Sequence, residues 1–208
     1  MKILIADDHS VVRKGLKQIL LEGFPSAEIA EVADAESLVS QVVAGKWDVV
    51  ISDISMPKRT GLDVLPQIKN IDPKLPVLIL SIHPEEQYAV RVLKSGASGY
   101  LSKDTAPDEL VNAVKQLILG KKYINSSVAE KIAGSIGNIE NKPPHEMLSD
   151  REFSVFKLLA SGKSITEIAE SFLLSTTTVS TYRARILNKL NLKNNTEMTL
   201  YCLENKLM

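Results

Sequence analysis

Five short apolar runs recur through the first 120 residues, at 2–6, 27–32, 48–52, 77–81 and 98–101. Each is followed by apolar residues at helical spacing, at about 10–22, 35–44, 61–71, 86–95 and 107–119. Strand and helix signals alternating at this pitch leave little room for anything but an α/β domain, a parallel sheet covered by helices on both faces. Right-handed crossovers and a flavodoxin-like strand order, 2-1-3-4-5, are expected. Two of the runs end in carboxylates. Lys2-Ile3-Leu4-Ile5-Ala6 leads into Asp7-Asp8, and Trp47-Asp48-Val49-Val50-Ile51-Ser52 leads into Asp53. In the order 2-1-3-4-5 the first and third strands are neighbours, so three carboxylates converge at the C-terminal edge of the sheet, where open α/β sheets bind ligands. Like charges that close are costly, and a bound hard metal ion is the usual remedy.

Composition excludes several classes. An apolar fraction of 44% with mean hydropathy near zero fits a soluble globular chain and not a disordered one. No apolar stretch approaches the roughly 20 residues of a membrane span. Met1-Lys2-Ile3 enters a strand directly, with no signal-peptide layout, so a cytoplasmic location is expected. The single cysteine, Cys202, cannot form an internal disulfide and lies in a helical apolar pattern, where it reads as a packing residue. The formal charge of zero hides a split: residues 1–120 hold 13 Lys/Arg against 16 Asp/Glu, and residues 121–208 hold 12 against 9. The segment 175–193 carries Arg183, Arg185, Lys189 and Lys193 with no acid, which hints at a polyanionic partner.

The acidic site has company. Met56-Pro57 and Gly61 follow Asp53, Ser81 ends the fourth strand, and Lys103 follows the fifth. Taken singly, an Asp at a strand end can be a helix cap or turn former, Asp8 ahead of His9-Ser10 especially so. Taken singly, Lys103 can be an ordinary surface lysine and Tyr100 ordinary packing. Together these residues resemble the receiver domain of two-component response regulators, over the whole of 1–120. The resemblance implies that Asp53 takes a phosphoryl group as an acyl phosphate. It implies Mg²⁺ held by Asp8, Asp53 and the backbone carbonyl of Ser55, with Asp7 assisting. Lys103 would pair with the phosphoryl oxygens, Ser81 would hydrogen-bond to them, and Tyr100 would swing inward when Ser81 moves. One departure follows Lys103: many receivers have proline next, and here it is Asp104. Haloacid dehalogenase-like phosphatases also use an Asp nucleophile with Mg²⁺, but they need a second Asp two residues on; Ser55 there argues against a turnover enzyme.

Beyond residue 120 the strand signals fade. Residues 121–146 read as a linker with one helix, about 126–133, followed by a stretch rich in glycine and asparagine that ends in Pro143-Pro144. From 147 to 208 four helices are expected. The first opens on a capping box, Ser149 with Glu152, and Gly162 ends it. A short helix follows over Thr166–Glu170, then the turn Leu173-Leu174-Ser175, then a helix from about Thr177 to Leu190. In that third helix Val179, Tyr182, Ile186, Leu187 and Leu190 form the core face. Ser180, Thr181, Ala184, Arg185 and Asn188 fall elsewhere. A short helix, a turn and a longer helix with a polar, basic outer face is helix-turn-helix geometry. The last helix is expected from Thr196 to about Leu207, its Leu200, Tyr201 and Leu203 serving a partner or the core. Gly162-Lys163-Ser164 is no phosphate-binding loop, since Lys157 stands where the motif needs glycine.

Leu148-Ser149-Asp150-Arg151-Glu152, Ile165–Ala169, Ser175, Thr178-Val179, Tyr182 and Ile186–Leu190 together resemble the LuxR-type DNA-binding domain. Tyr182 departs from it by standing where histidine is usual. The resemblance makes 176–191 the recognition helix, with Thr177, Ser180, Thr181, Arg183, Arg185 and Lys189 as candidate DNA contacts and the last helix as a dimerisation element. Jointly the two resemblances imply a NarL/FixJ-like transcriptional regulator. By that resemblance a sensor histidine kinase would phosphorylate Asp53, and a homodimer would then bind double-stranded promoter DNA. The rivals are a DNA binder whose receiver only docks or dimerises, and a Mg²⁺-dependent phosphatase.

Overall fold

The structure, a computed structural model, describes residues 1–56, 59–82, 85–124, 129 and 143–207. The chain divides into two compact units, Met1–Ile136 and Gly137–Met208. The first carries β1 (Lys2–Ala6), α1 (Ser10–Gly23), β2 (Glu28–Val32), α2 (Ala35–Ala44), β3 (Val49–Asp53), α3 (Gly61–Ile71), β4 (Val77–Ser81), α4 (Glu85–Lys94), β5 (Gly99–Ser102) and α5 (Ala106–Ile118). The strands form one parallel sheet in the order β2-β1-β3-β4-β5, as expected.

Burial explains why these runs are strands. Every residue of β3 and β4 is buried, as central parallel strands covered on both faces must be. On one face Ile3, Ile5, Val49, Ile51, Leu78 and Leu80 pack against Leu16 and Leu20 of α1 and Leu110, Ala113 and Leu117 of α5. The edge strand β2 is only half-buried, which is why its apolar pattern is faint. The other edge is not bare. After α5 the chain returns beside β5: Tyr123 N–H donates to the Ser98 carbonyl at 3.0 Å, and its own carbonyl accepts from Tyr100 N–H at 3.3 Å. Tyr123 Oη then donates to Glu109 on α5 at 2.6 Å. The helix expected over 126–133 lies outside the described residues, except that Ala129 is helical.

The second unit holds a 3₁₀ turn (Pro144–Met147), α6 (Asp150–Ala160), α7 (Ile165–Ser171), α8 (Thr176–Leu190) and α9 (Asn195–Glu204). Each helix starts on a side-chain cap. Ser149, Ser164, Ser175 and Asn194 accept from the N–H of Glu152, Glu167, Thr178 and Glu197, and the first two complete capping boxes. Gly162, at φ +87°, ends α6 as expected, and Ser164 is therefore a cap rather than part of a phosphate loop. Two expectations are corrected. Pro143-Pro144 does not extend the linker: Pro144 opens the 3₁₀ turn, which seats His145 N–H on Tyr201 Oη. And α9 stops at Glu204, not Leu207. Lys206 takes a left-handed φ of 53°, and the chain folds back so that Leu207 N–H reaches the Cys202 carbonyl at 2.9 Å. Cys202 is fully buried, the packing residue it was read as. No helix among the described residues is long and apolar enough to cross a membrane.

Candidate functional site

The parallel register delivers the site. Ala6 pairs with Ser52 and Asp53 with Leu80, so Asp7, Asp53 and the end of β4 leave the sheet side by side. Ser81 pairs with Ser102, which brings Lys103 to the same edge. Asp7 and Asp53 are buried there, at 1% and 3% exposure. Lys103 Nζ bridges them, donating to Asp7 Oδ2 and Asp53 Oδ2 at 2.7 Å each. Its backbone N–H donates to the Ser81 carbonyl at 2.8 Å, which fastens the stem of the lysine to the end of β4. The described residues contain no cis peptide, so the chain passes from Lys103 to Asp104 through a trans bond.

Burial drives the Asp53 carboxyl above its ordinary range and the neighbouring Asp7 adds to this, against the pull of Lys103 and of the Ser55 N–H. For Lys103 burial acts downward, but the two carboxylates outweigh it and hold the amine above its usual value. One ammonium among three carboxylates leaves an excess of negative charge. Asp8 sharpens the point. Its buried Oδ1 has no aligned hydrogen-bond donor. His9 Nδ1 stands 2.8 Å away but is not oriented as a hydrogen bond. Ligand atoms of Asp7, Asp8, His9 and Asp53 all lie within 4.8 Å of one another. A divalent cation fits this donor set: hard oxygens, excess negative charge and a buried oxygen lacking a partner. The capping alternative for Asp8 is not realised, because α1 has no side-chain cap and His9 N–H donates instead to Asp7 Oδ1.

The remaining expected residues surround this centre. Ser55 is exposed on the loop after β3. Ser81 and Tyr100 are both buried, at 1% and 2% exposure. Gly61 has a steric reason to be glycine. A Cβ there would lie 2.2 Å from the Asp53 carbonyl oxygen and 2.7 Å from Ser52 Oγ. Two supports had no sequence signal. Arg13 donates to the Asp7 carbonyl at 2.6 Å from α1, and His9 joins the acidic cluster.

In the second unit α8 buries Val179, Ile186 and Leu190 and half-buries Tyr182 and Leu187. Thr177, Ser180, Thr181, Ala184, Arg185 and Asn188 are exposed. Ser180 and Thr181 hydroxyls donate back to the carbonyls of Thr176 and Thr177, leaving oxygen lone pairs outward. The other two basic candidates are engaged within the unit. Arg183 Nε donates to Asn195 Oδ1 at 2.8 Å, and Lys189 Nζ donates to the buried Glu152 carboxylate at 2.6 Å.

Comparison with known proteins agrees with this geometry. The family described as response regulator receiver domain matches residues 3–115. The family described as bacterial regulatory proteins, luxR family, matches residues 146–202. The chain is 34% identical over 200 residues to the response regulator UvrY of Escherichia coli, covering 96% of this chain and 92% of that protein. It is 35% identical over 215 residues to the oxygen regulatory protein NreC of Staphylococcus carnosus, covering 100% and 99%. Among solved structures it resembles RcsB from Salmonella enterica serovar Typhimurium bound to promoter rprA in the presence of phosphomimetic BeF₃⁻. That likeness has a TM-score of 0.65 at 27% identity and covers 97% of each chain.

Proposed function

The chain belongs to the response regulators that join a receiver domain to a luxR-family regulatory domain, and from that premise we propose that phosphorylation of Asp53 controls its binding to promoter DNA. The observation that carries this is the buried Asp53–Lys103–Asp7 bridge beside the unbonded Oδ1 of Asp8. An Asp53 oxygen attacks the phosphorus of a phosphohistidine on a sensor kinase. The O–P bond forms as the N–P bond breaks, and the histidine leaves with the electron pair. Asp8, Asp53 and the Ser55 carbonyl, assisted by Asp7, would hold Mg²⁺, which when bound supplies positive charge opposite the transferring group. Lys103, within reach of Asp53, adds a second positive charge and follows the phosphoryl oxygens. Ser81 hydrogen-bonds to the new group and Tyr100 packs behind it, which biases the receiver between two states. The regulatory domain is then released and dimerises on paired half-sites. No general acid stands two residues after Asp53, so the protein is a switch rather than a turnover enzyme. It acts in the cytoplasm, where kinase and chromosome are both accessible.

For DNA, the exposed face of α8 offers Arg185 for guanine or phosphate and Thr177, Ser180 and Thr181 for base edges. Arg183 keeps donors for phosphate after spending Nε on Asn195. The test is intact-mass measurement after acetyl phosphate and Mg²⁺, followed by DNA affinity with and without phosphate. One phosphoryl group on wild type and none on Asp53→Asn is expected, with tighter DNA binding by the phosphorylated form. Equal affinity of the two forms would sink the gating; an Asp53→Asn variant that still gains the group would sink the site.

A further inference from the structure

Lys189 lies in the basic stretch of the recognition helix, and by charge alone it reads as one more phosphate contact. Its surroundings say otherwise. Nζ donates to Glu152 Oε2 at 2.6 Å and approaches the Met147 carbonyl at 3.4 Å. Glu152 is 3% exposed and is itself immobilised: the same Oε2 accepts the Ser149 N–H at 2.7 Å, and its own N–H donates to Ser149 Oγ. The lysine is therefore tied to a fixed point at the start of α6, not to a mobile surface carboxylate.

Helical geometry turns this tie into a rotational stop. At 3.6 residues per turn the series Thr181, Arg185, Lys189 drifts by roughly 40° per step, so the outward face at Thr181 has swung roughly 80° by Lys189. The end of the stripe meets α6 while its start stays exposed. Val179, Ile186 and Leu190 set the coarse rotation of α8 by burial, but the hydrophobic effect is non-directional and leaves the fine rotation to polar contacts. Hydrogen-bonded charge pairs are directional. A second directional tie, the hydrogen bond from Arg183 to the neutral amide oxygen of Asn195, holds another side of the helix at the start of α9.

We propose that Lys189 is a positioning residue: through Glu152 it sets the rotation of α8 so that Ser180, Thr181 and Arg185 meet the groove together, and it does not contact phosphate. This rests on the DNA-binding reading above.

The experiment uses the full chain and a duplex enriched by the wild-type protein from a random-sequence pool, beside a scrambled duplex of equal length. Affinities of wild type, Lys189→Met, Glu152→Gln and Arg185→Met are measured across a salt series. Glu152→Gln keeps the side-chain size and the capping acceptor, so it remains informative if Lys189→Met folds poorly. Both Lys189→Met and Glu152→Gln are expected to lose on the order of tenfold on the enriched duplex and little on the scrambled one, with the slope of log K against log salt unchanged. Arg185→Met supplies the contrast, a slope smaller by about 0.9 per phosphate contact if it touches the backbone. Simple loss of folded protein lowers both duplexes by one factor and leaves their ratio fixed. An unchanged ratio, or a Lys189→Met slope reduced by about 0.9 with both duplexes weakened alike, overturns the proposal while DNA binding stands. A wild-type chain that enriches no sequence overturns the DNA-binding reading and the proposal with it.

Discussion

Lys103 Nζ lies 2.7 Å from Asp53 Oδ2 across 50 residues of sequence, and it reaches Asp7 at the same distance. The lysine holds together two buried carboxylates that would otherwise repel. Replacing it by methionine strands both. In metal-free buffer at neutral pH, Lys103→Met is expected to destabilise the receiver by about 3–5 kcal/mol, the scale for removing one partner of a buried ion pair. Denaturant unfolding measures this, and added Mg²⁺ should recover part of the loss. A variant as stable as wild type without Mg²⁺ would contradict the bridge.

Asp53 itself has a folded-state carboxyl raised above its ordinary 3.8, chiefly by burial. The folded form therefore binds the proton more tightly than the unfolded chain. The ionised carboxylate begins to cost stability as pH rises past 3.8, and the full cost is present above the raised folded value. Asp53→Asn should thus unfold at higher denaturant than wild type at neutral pH without divalent cations, and the gap should narrow with Mg²⁺. Thermal melts of both proteins at several pH values check the sign.

Gly61→Ala places a methyl group 2.2 Å from the Asp53 carbonyl oxygen. Backbone must move, and overpacking of this kind costs about 1–3 kcal/mol. Because the displaced backbone is that of Asp53, phosphorylation by acetyl phosphate should slow more than the stability loss alone accounts for. A rate equal to wild type in the folded variant would show that β3 does not shift.

In the regulatory unit the Glu152 carboxyl works the other way. Burial acts upward, but Lys189 and the Ser149 N–H outweigh it and hold the group below its ordinary 4.5. Its stabilisation is complete above 4.5 and is lost as pH falls through the lowered folded value. Charge-assisted hydrogen bonds contribute about 1.5–3 kcal/mol. The low end applies here, since the Lys189 side chain is 40% exposed and solvent screens it. Wild type minus Glu152→Gln stability, followed downward from neutral pH, should hold until about 4.5 and shrink below it.

The receiver was legible because buried parallel strands are written as unbroken apolar runs. All five strands and five helices fall within about a residue of where periodicity placed them, and the β1–β3 adjacency that gathers Asp7 and Asp53 follows from the order alone. The missing parts lack local signatures. Pro143-Pro144 has the composition of a linker, and the turn that Pro144 opens is closed by Glu146 N–H on the Pro143 carbonyl and docked by the long-range bond of His145 to Tyr201. The end of α9 depends on Lys206 entering a left-handed conformation, which lysine does not advertise. Arg13 on the Asp7 carbonyl and Lys189 on Glu152 are pairings between elements, and each residue has a sufficient local explanation that hides the pairing.

The side-chain caps on α6 to α9 bear on time as well as stability. Ser149, Ser164, Ser175 and Asn194 each satisfy an N–H three residues away, so helix starts are specified within a single turn of chain. The receiver sheet instead joins strands such as β1 and β3, whose Ile3 and Val49 must first be brought together across a long loop. Contacts that close short loops form sooner than those that close long ones. The helical unit, though it follows the receiver along the chain, has the topology that matures on the order of microseconds to milliseconds, so the receiver sets the pace at which a working molecule appears.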